Sequence, residues 1–292
     1  MSESIETLQR KIGSAEELKS VVRTMKALAA ASILQYERAI RSLAGYYRAV
    51  ELGLAACCRE ASAVRNDTIL TERQSNVMTG AIVFGSDQGL VGQFNDQLAS
   101  FVAIELEKHP GAKVAWAVGE RIYARLQDAG LTLRQLYPVP NSVSAITPLI
   151  SQILVDNQAI FEKRQIYIFH NRPRSGASYE PATQRLLPLD QKWQRDLGQI
   201  KWPTNMLPQV IAGREPTVLA LVRDYLFVSL FKACAESLAS ENASRLAFMQ
   251  RAEKNIGDLL EQLRGDFHQQ RQNSIDAELF DLISGFEVLG GR

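Results

Sequence analysis

The sequence predicts an α/β domain, with a small and mostly parallel sheet, inserted between two long helices at the chain ends that wrap each other as an antiparallel coiled coil. Three observations predict it. From Pro216 onward apolar residues recur at three- and four-residue steps with no further proline: Leu219, Val222, Leu226, Leu230, Ala233, then Leu246, Met249, Ala252, Ile256, Leu259, Leu263 and Phe267. The stripe is the narrow one of a coiled-coil seam and outruns an ordinary globular helix. A second segment of this kind begins at Ile5, Leu8, Ile12 and Ala15 and continues through Leu18, Val22, Met25, Ala29, Ile33, Tyr36, Ile40, Leu43, Tyr47, Val50 and Leu54. Between the two, strand and helix signals alternate. The domains read as a coiled-coil helix over 1–58, an inserted α/β domain over 59–213 and a coiled-coil helix over 214–292.

In chain order, the first helix is expected from about Ile5 to about Cys58. Its bases are Arg10, Lys11, Lys19, Arg23, Lys26, Arg38, Arg41 and Arg48. They suit either a solvated flank or a face turned to acidic partners. Polar residues through Asn76 make a connector. Val77 to Phe84 reads as a buried strand, Asn95 to Lys108 as a helix stopped by Pro110-Gly111, and Lys113 to Val118 as a second strand. Glu120 to Ala129 reads as a helix ending at Gly130, Ser144 to Lys163 as another, and Gln165 to His170 as a third strand. Asn171 to Gly213 is proline-rich and aperiodic, with one strand expected at Gln184 to Leu189. Pro216 suits the first turn of the last helix.

Geometry adds an asymmetry. At 1.5 Å per residue the first helix reaches ~75 Å and the last ~105 Å, so an antiparallel pair from a shared base leaves an overhang of ~30 Å at the C-terminal end. That overhang carries Ile275, Leu279, Phe280, Leu282, Ile283, Phe286, Val288 and Leu289. Such an apolar tip is costly in water and implies a foreign sleeve. Gly257 and Gly265, each costing about 1 kcal/mol in a helix interior, suggest close approach of another helix or a partner backbone.

Composition bounds the rest. With 292 residues, 46% hydrophobic and 22% charged, the chain is globular, and a net charge of +1 supplies no global attraction to nucleic acid or anionic membrane. Cys57, Cys58 and Cys234 match neither a disulfide framework nor metal-ligand spacing, which favours a reducing compartment. No run of about eighteen apolar residues occurs, so direct membrane insertion is not expected.

Chemical motifs are weak. Gly85-Ser-Asp-Gln-Gly89-Leu-Val-Gly92 lies between a strand and a helix, where phosphate loops sit, but its spacing fits neither the dinucleotide fingerprint nor the Walker loop. A tight turn is the plainer reading. His109, His170 and His268 lack paired ligand spacing, Arg172 and Arg174 read as solvated loop arginines, and Glu236 and Glu241 are expected on a solvated helix face. No catalytic, metal or cofactor site is expected.

Three stretches, in matching order across nearly the whole chain, carry a resemblance. Lys11-Ile-Gly-Ser14, then Arg23-Thr-Met25 and Ala29-Ala30, resemble the basic-and-methionine stretch of the gamma subunit of F-type ATP synthases. Ser86-Asp-Gln-Gly-Leu-Val-Gly92 with Phe94-Asn95 resembles that family's Ser-Asp-Arg-Gly-Leu-Cys-Gly motif. Leu238-Ala-Ser-Glu-Asn-Ala-Ser-Arg245, then Met249, Asn255 and Arg271-Gln-Asn-Ser-Ile275, is similar to its C-terminal block. Ile275, Glu278, Asp281 and Gly285 keep the C-terminal signature, whereas Asp276 and Phe286 replace its threonine and alanine. Glu16-Glu17-Leu18 stands where Gln-Asn-Thr is usual, so the resemblance is to a divergent branch such as the alternative, sodium-type ATPases.

The resemblance implies a non-catalytic central shaft that couples ion-driven rotation of a membrane rotor ring to conformational cycling of catalytic beta subunits. It implies as partners the alpha and beta subunits of the catalytic hexamer, the epsilon subunit and the rotor ring. The implied location is peripheral, on the cytoplasmic face of a membrane. Carried over residue by residue, Arg23, Met25 and Lys26 are candidates for contact with acidic loops of the beta subunits. Arg271, Gln272, Glu278 and Asp281 are candidates higher in the ring, and Ile275, Leu279, Leu282, Ile283 and Phe286 form the apolar bearing tip. Two alternatives stay open: a nucleotide-binding α/β enzyme and a non-rotary coiled-coil scaffold.

Overall fold

A computed structural model describes residues 4–62, 78–157, 165–174, 178–188, 197, 199–200, 202–204, 206, 210–211 and 213–290. The connector expected through Asn76 and the distal half of the loop before the last helix lie mostly outside these residues. Two helices dominate: α1, Ile5–Ser62, and α5, Arg214–Gly290, 58 and 77 residues long. Ser4 caps α1, its Oγ accepting the Thr7 N–H at 3.3 Å. By packing, the chain divides into one unit of Met1–Ala29 with Leu246–Arg292 and another of Ala30–Arg245.

The first unit is an antiparallel helix pair. Ala15 and Val22 of α1 pack with Met249, Ile256 and Leu260 of α5, flanked by Ile12, Met25, Phe248 and Ala252. Leu8, Ala15, Val22 and Ala29 are all buried, a strict seven-residue seam. The stripe drawn from sequence is off by one position in places. Leu18 and Leu259 are exposed, whereas Leu260 is buried. Two adjacent leucines cannot both face one seam, and Leu260 occupies it.

The second unit holds a five-stranded sheet ordered β3-β2-β1-β4-β5. Its strands are β1 Thr79–Phe84, β2 Lys113–Val118, β3 Thr132–Tyr137, β4 Gln165–Pro173 and β5 Tyr179–Leu187. The first four run parallel and β5 pairs antiparallel to β4. Among the described residues the unit also holds the helices α2 Phe94–Glu107, α3 Glu120–Asp128 and α4 Val143–Asp156. Alternation along the strands sorts the core into two. Ile82, Phe84, Trp116, Val118, Ile166 and Ile168 face α4 and the parts of α1 and α5 in this unit. Ala81, Val83, Ala115, Ala117 and Phe169 face α2 and α3. Each fully buried large side chain contributes about 1.5–3 kcal/mol.

Three expectations shift. β3 was not anticipated: Arg134 and Gln135 interrupt its apolar run, because an edge strand needs few buried positions, and only Tyr137 is buried. The helix expected from Ser144 ends at Asp156, where Asn157 Nδ2 donates to the Ile153 carbonyl at 2.9 Å. Residues 158–164 lie outside the described set. The strand expected at Gln184 begins earlier, at Tyr179, paired to the end of β4.

Candidate functional site

In the helix-pair unit, Arg23 and Lys26 converge on one carboxylate of α5. Arg23 Nε donates to Glu253 Oε1 at 2.8 Å and Lys26 Nζ to Oε2 at 2.5 Å. The hydrogen bonds from Lys26 and Arg23, reinforced by their charges, hold the Glu253 carboxyl down at about 2. Arg23 remains 62% exposed even so. Met25 is half-buried against the seam. A shallow groove alongside is lined by Glu16, Lys19, Arg23, Gly257, Glu261 and Arg264, and Arg264 Nη2 donates to Glu16 Oε1 at 2.5 Å.

The other named residues lie further along α5. Arg271, Gln272, Glu278 and Asp281 are exposed, as are Ile275, Leu279, Phe280, Leu282 and Ile283, with Phe280 at 71%. The side chain of Phe286 is outside the described residues. Glu253 and Arg271 are eighteen positions apart, about 27 Å along the axis, so the two predicted contact groups form separate surfaces. Gly257 has only Lys19 Nζ, at 3.5 Å, near the place a Cβ would take, and Gly265 has nothing within 4 Å. Close approach of another helix of this chain therefore does not explain Gly265.

The glycine-rich turn after β1 is built for packing. A Cβ on Gly85 would lie 2.2 Å from Ile122 Cβ, so only glycine passes there. Leu90 and Gly92 adopt left-handed backbone, with φ of 63° and 60°. Asn95 Oδ1 accepts the Ser86 N–H at 3.1 Å, and Asn95 Nδ2 donates to Ser86 Oγ at 2.8 Å. Asp87 accepts the backbone N–H groups of Glu120 and Val139 at 2.8 and 2.9 Å, placing a carboxylate at the α3 N-terminus. A phosphate would meet that negative charge.

The expectation for Glu236 and Glu241 is corrected: both are buried. Between Val228 and Ala243 almost every residue of α5 is buried, so this stretch has no solvated face. Glu236 Oε2 lies 2.7 Å from His170 Nε2 and 3.5 Å from Arg172 Nε, with Lys232 Nζ 3.9 Å from Oε1. Burial pushes the Glu236 carboxyl up, but the His170 hydrogen bond and the charges of His170, Lys232 and Arg172 outweigh it, and the net shift is down. Glu241 goes the other way: burial raises it, against the opposing pull of Arg245 2.6 Å away. Arg172 thus lies on β4 as a partner of Glu236, and Arg174 pairs with Glu180. Ser237 and Ser240 of the same stretch and half-buried Ser244 just past it, missed from sequence, donate to backbone carbonyls of the domain. Their signal was a set of small hydroxyl residues recurring at three- and four-residue steps among alanines and leucines.

Among the described residues no group of three or more His, Cys, Asp or Glu could hold a metal ion, and no helix is long and apolar enough to cross a membrane.

Comparison with known proteins places these features. A family model described as ATP synthase matches residues 4–289. The ATP synthase gamma chain of Glaesserella parasuis serovar 5 is 27% identical over 286 residues, covering 95% of this chain and 96% of that one. That of Acetivibrio thermocellus is 23% identical over 295 residues, covering 98% and 99%. A chain of the Euglena gracilis mitochondrial ATP synthase, in a structure of OSCP, F1 and the c-ring in rotational state 3, superposes with a TM-score of 0.60 at 17% identity, covering 98% of this chain and 94% of that one. One from the central stalk and c-ring of the Tetrahymena thermophila enzyme gives 0.56 at 18% identity, covering 80% and 99%. These likenesses to solved structures establish the fold.

Proposed function

This chain belongs to the ATP synthase family, and from that premise we propose that it is the gamma chain, the central shaft of a rotary ATP synthase. The observation that carries the reading is an antiparallel helix pair whose longer member runs on past its partner with an apolar, unpaired surface. The Glu16–Arg264 pair fixes a register that sets Ile5, the first residue of α1, across from about Ile275, so Leu279 to Ile283 run past the start of α1 with their apolar side chains exposed. Exposed apolar surface of this kind is stabilised by a sleeve. The ring of three alpha and three beta subunits supplies one in the family the sequence resembles.

The shaft itself breaks no bond. It acts by presenting a different face to each catalytic beta subunit as it turns, so that nucleotide sites of unequal affinity interchange. Arg23, Met25 and Lys26 contact acidic loops of the beta subunits, and Arg271, Gln272, Glu278 and Asp281 make polar contacts higher in the ring. Ile275, Leu279, Leu282, Ile283 and Phe286 form the bearing. The α/β domain meets the epsilon subunit and the rotor ring, and the complex sits on the cytoplasmic face of its membrane with this chain peripheral to it. The departures at Asp276 and Phe286 assign it to a divergent branch of the family.

The test is capture of the tagged chain from its native cells, followed by an ATPase assay on what accompanies it. Alpha and beta subunits with ATPase activity support the shaft. A chain recovered alone and monodisperse would instead favour a scaffold.

A further inference from the structure

The enclosed stretch of α5 carries polar groups where an apolar helix would pack as well. Ser237 Oγ donates to the carbonyl of Phe84 at the end of β1 at 2.7 Å, and Ser240 Oγ to that of Asn171 in β4 at 2.9 Å. Ser244 Oγ donates to Val91 in the glycine-rich turn at 2.7 Å. Ser237 and Ser240 are fully enclosed, at 2% and 0% exposure. Three residues of one helix face are thereby tied to three separate segments of the domain.

Their spacing matters more than their number. The intervals are three and four, from 237 to 240 and from 240 to 244. A helix slides past its neighbours most readily by three, four or seven residues, because those steps restore the same face. A slip of four one way puts Ser244 at the Asn171 carbonyl but Glu241 and Phe248 at the other two acceptors. A slip of three one way puts Ser240 at the Phe84 carbonyl but Ala243 and Ala247 at the others. The reverse slips and a slip of seven likewise restore one bond and lose two. An apolar face of alanines and leucines makes no such distinction, since its ridges are nearly equivalent.

We propose that Ser237, Ser240 and Ser244 are positioning residues that key the rotational and axial register of α5 to the α/β domain, so that torque passes between the two without slippage. The inference rests on the shaft reading and deepens it. Buried directional bonds suit this role because they distinguish registers that packing alone leaves close in energy. Glu236, beside Ser237 on α5 and bonded to His170 on β4, adds a fourth attachment.

The experiment uses the whole complex purified with this chain, reconstituted in vesicles. One preparation carries the natural sequence and one S237A/S240A/S244A. Two rates are measured, ATP hydrolysis and ion transport per ATP against an opposing gradient. Expected is hydrolysis within about twofold of the natural complex, with transport per ATP under load reduced about twofold or more, because only the loaded shaft strains the key. If the triple variant does not assemble, S244A on its half-buried site carries the same expectation, and S244T, which keeps the hydroxyl, restores transport. Unchanged transport per ATP under load overturns the proposal, as does loss of assembly in S244A with no rescue by S244T. A natural complex that neither hydrolyses ATP nor transports ions fails differently: it refutes the shaft reading.

Discussion

On β4, Nε2 of His170 lies 2.7 Å from Oε2 of Glu236 on α5, with both side chains buried. Removing the carboxylate takes away the hydrogen-bond partner of the buried His170 Nε2 and the acid shared with Arg172 and Lys232. Breaking a buried pair by deleting one partner costs about 3 kcal/mol. Glu236→Ala should therefore lower the unfolding free energy of the full chain by about that much in urea titrations at neutral pH. A loss below about 0.5 kcal/mol would mean the cluster is solvated.

The same carboxylate fixes a pH dependence. The folded-state value of Glu236 lies below its ordinary 4.5, so its contribution is present above the ordinary value and is lost as pH falls through the folded one. The natural chain should lose stability below about pH 4.5, and Glu236→Ala should show a shallower decline over that window. Parallel profiles for the two chains would remove Glu236 as a source of the acid sensitivity.

Glu253 holds both Arg23 and Lys26, yet the three groups are accessible to water. Glu253→Gln should leave the melting temperature of the chain nearly unchanged, because exposed ion pairs contribute little. If Arg23 and Lys26 face acidic loops of the beta subunits in the complex, the substitution uncovers two positive charges opposite them. ATP hydrolysis should slow at low ionic strength and recover as salt screens the attraction. A slowing that is independent of salt would place the effect inside the helix pair.

Two glycines should respond in opposite ways. Gly85→Ala drives a methyl into Ile122 between β1 and α3 and should destabilise by about 3 kcal/mol or more. Gly265→Ala meets open space in a helix interior and should stabilise the isolated chain by up to about 1 kcal/mol. The same Gly265→Ala should impair the assembled complex if a partner backbone passes close there. Melting curves of the chain and activity of the complex separate the two effects.

The sequence made the long-range plan legible, because periodicity records which face is buried: the seven-residue seam of Leu8, Ala15, Val22 and Ala29 and the apolar runs of β1 and β2 are direct consequences of burial. β3 was opaque for the converse reason, since an edge strand with Arg134 and Gln135 leaves almost no burial pattern. The enclosed stretch of α5 was misread because a single seam was assumed. Val228 to Ala243 is surrounded, so Glu236, Ser237 and Ser240 are interior groups whose partners sit on β1 and β4, far away in sequence. No local spacing announces such partners. The candidate contact residues were nameable only by resemblance, since Arg271, Gln272, Glu278 and Asp281 look like any solvated helix face.

The most direct test concerns the exposed apolar residues of α5. Ile275→Ser, Leu279→Ser and Ile283→Ser, combined in one chain, should change its melting temperature and helix content little, because these side chains are about half exposed. Measured is the amount of alpha and beta subunit, with ATPase activity, recovered with the tagged natural and substituted chains from the same cells. If this surface is the bearing of a rotary shaft, the natural chain brings down an active complex and the substituted chain loses most of its coupled ion transport or the complex itself. Equal recovery, with equal transport per ATP, would contradict the central claim.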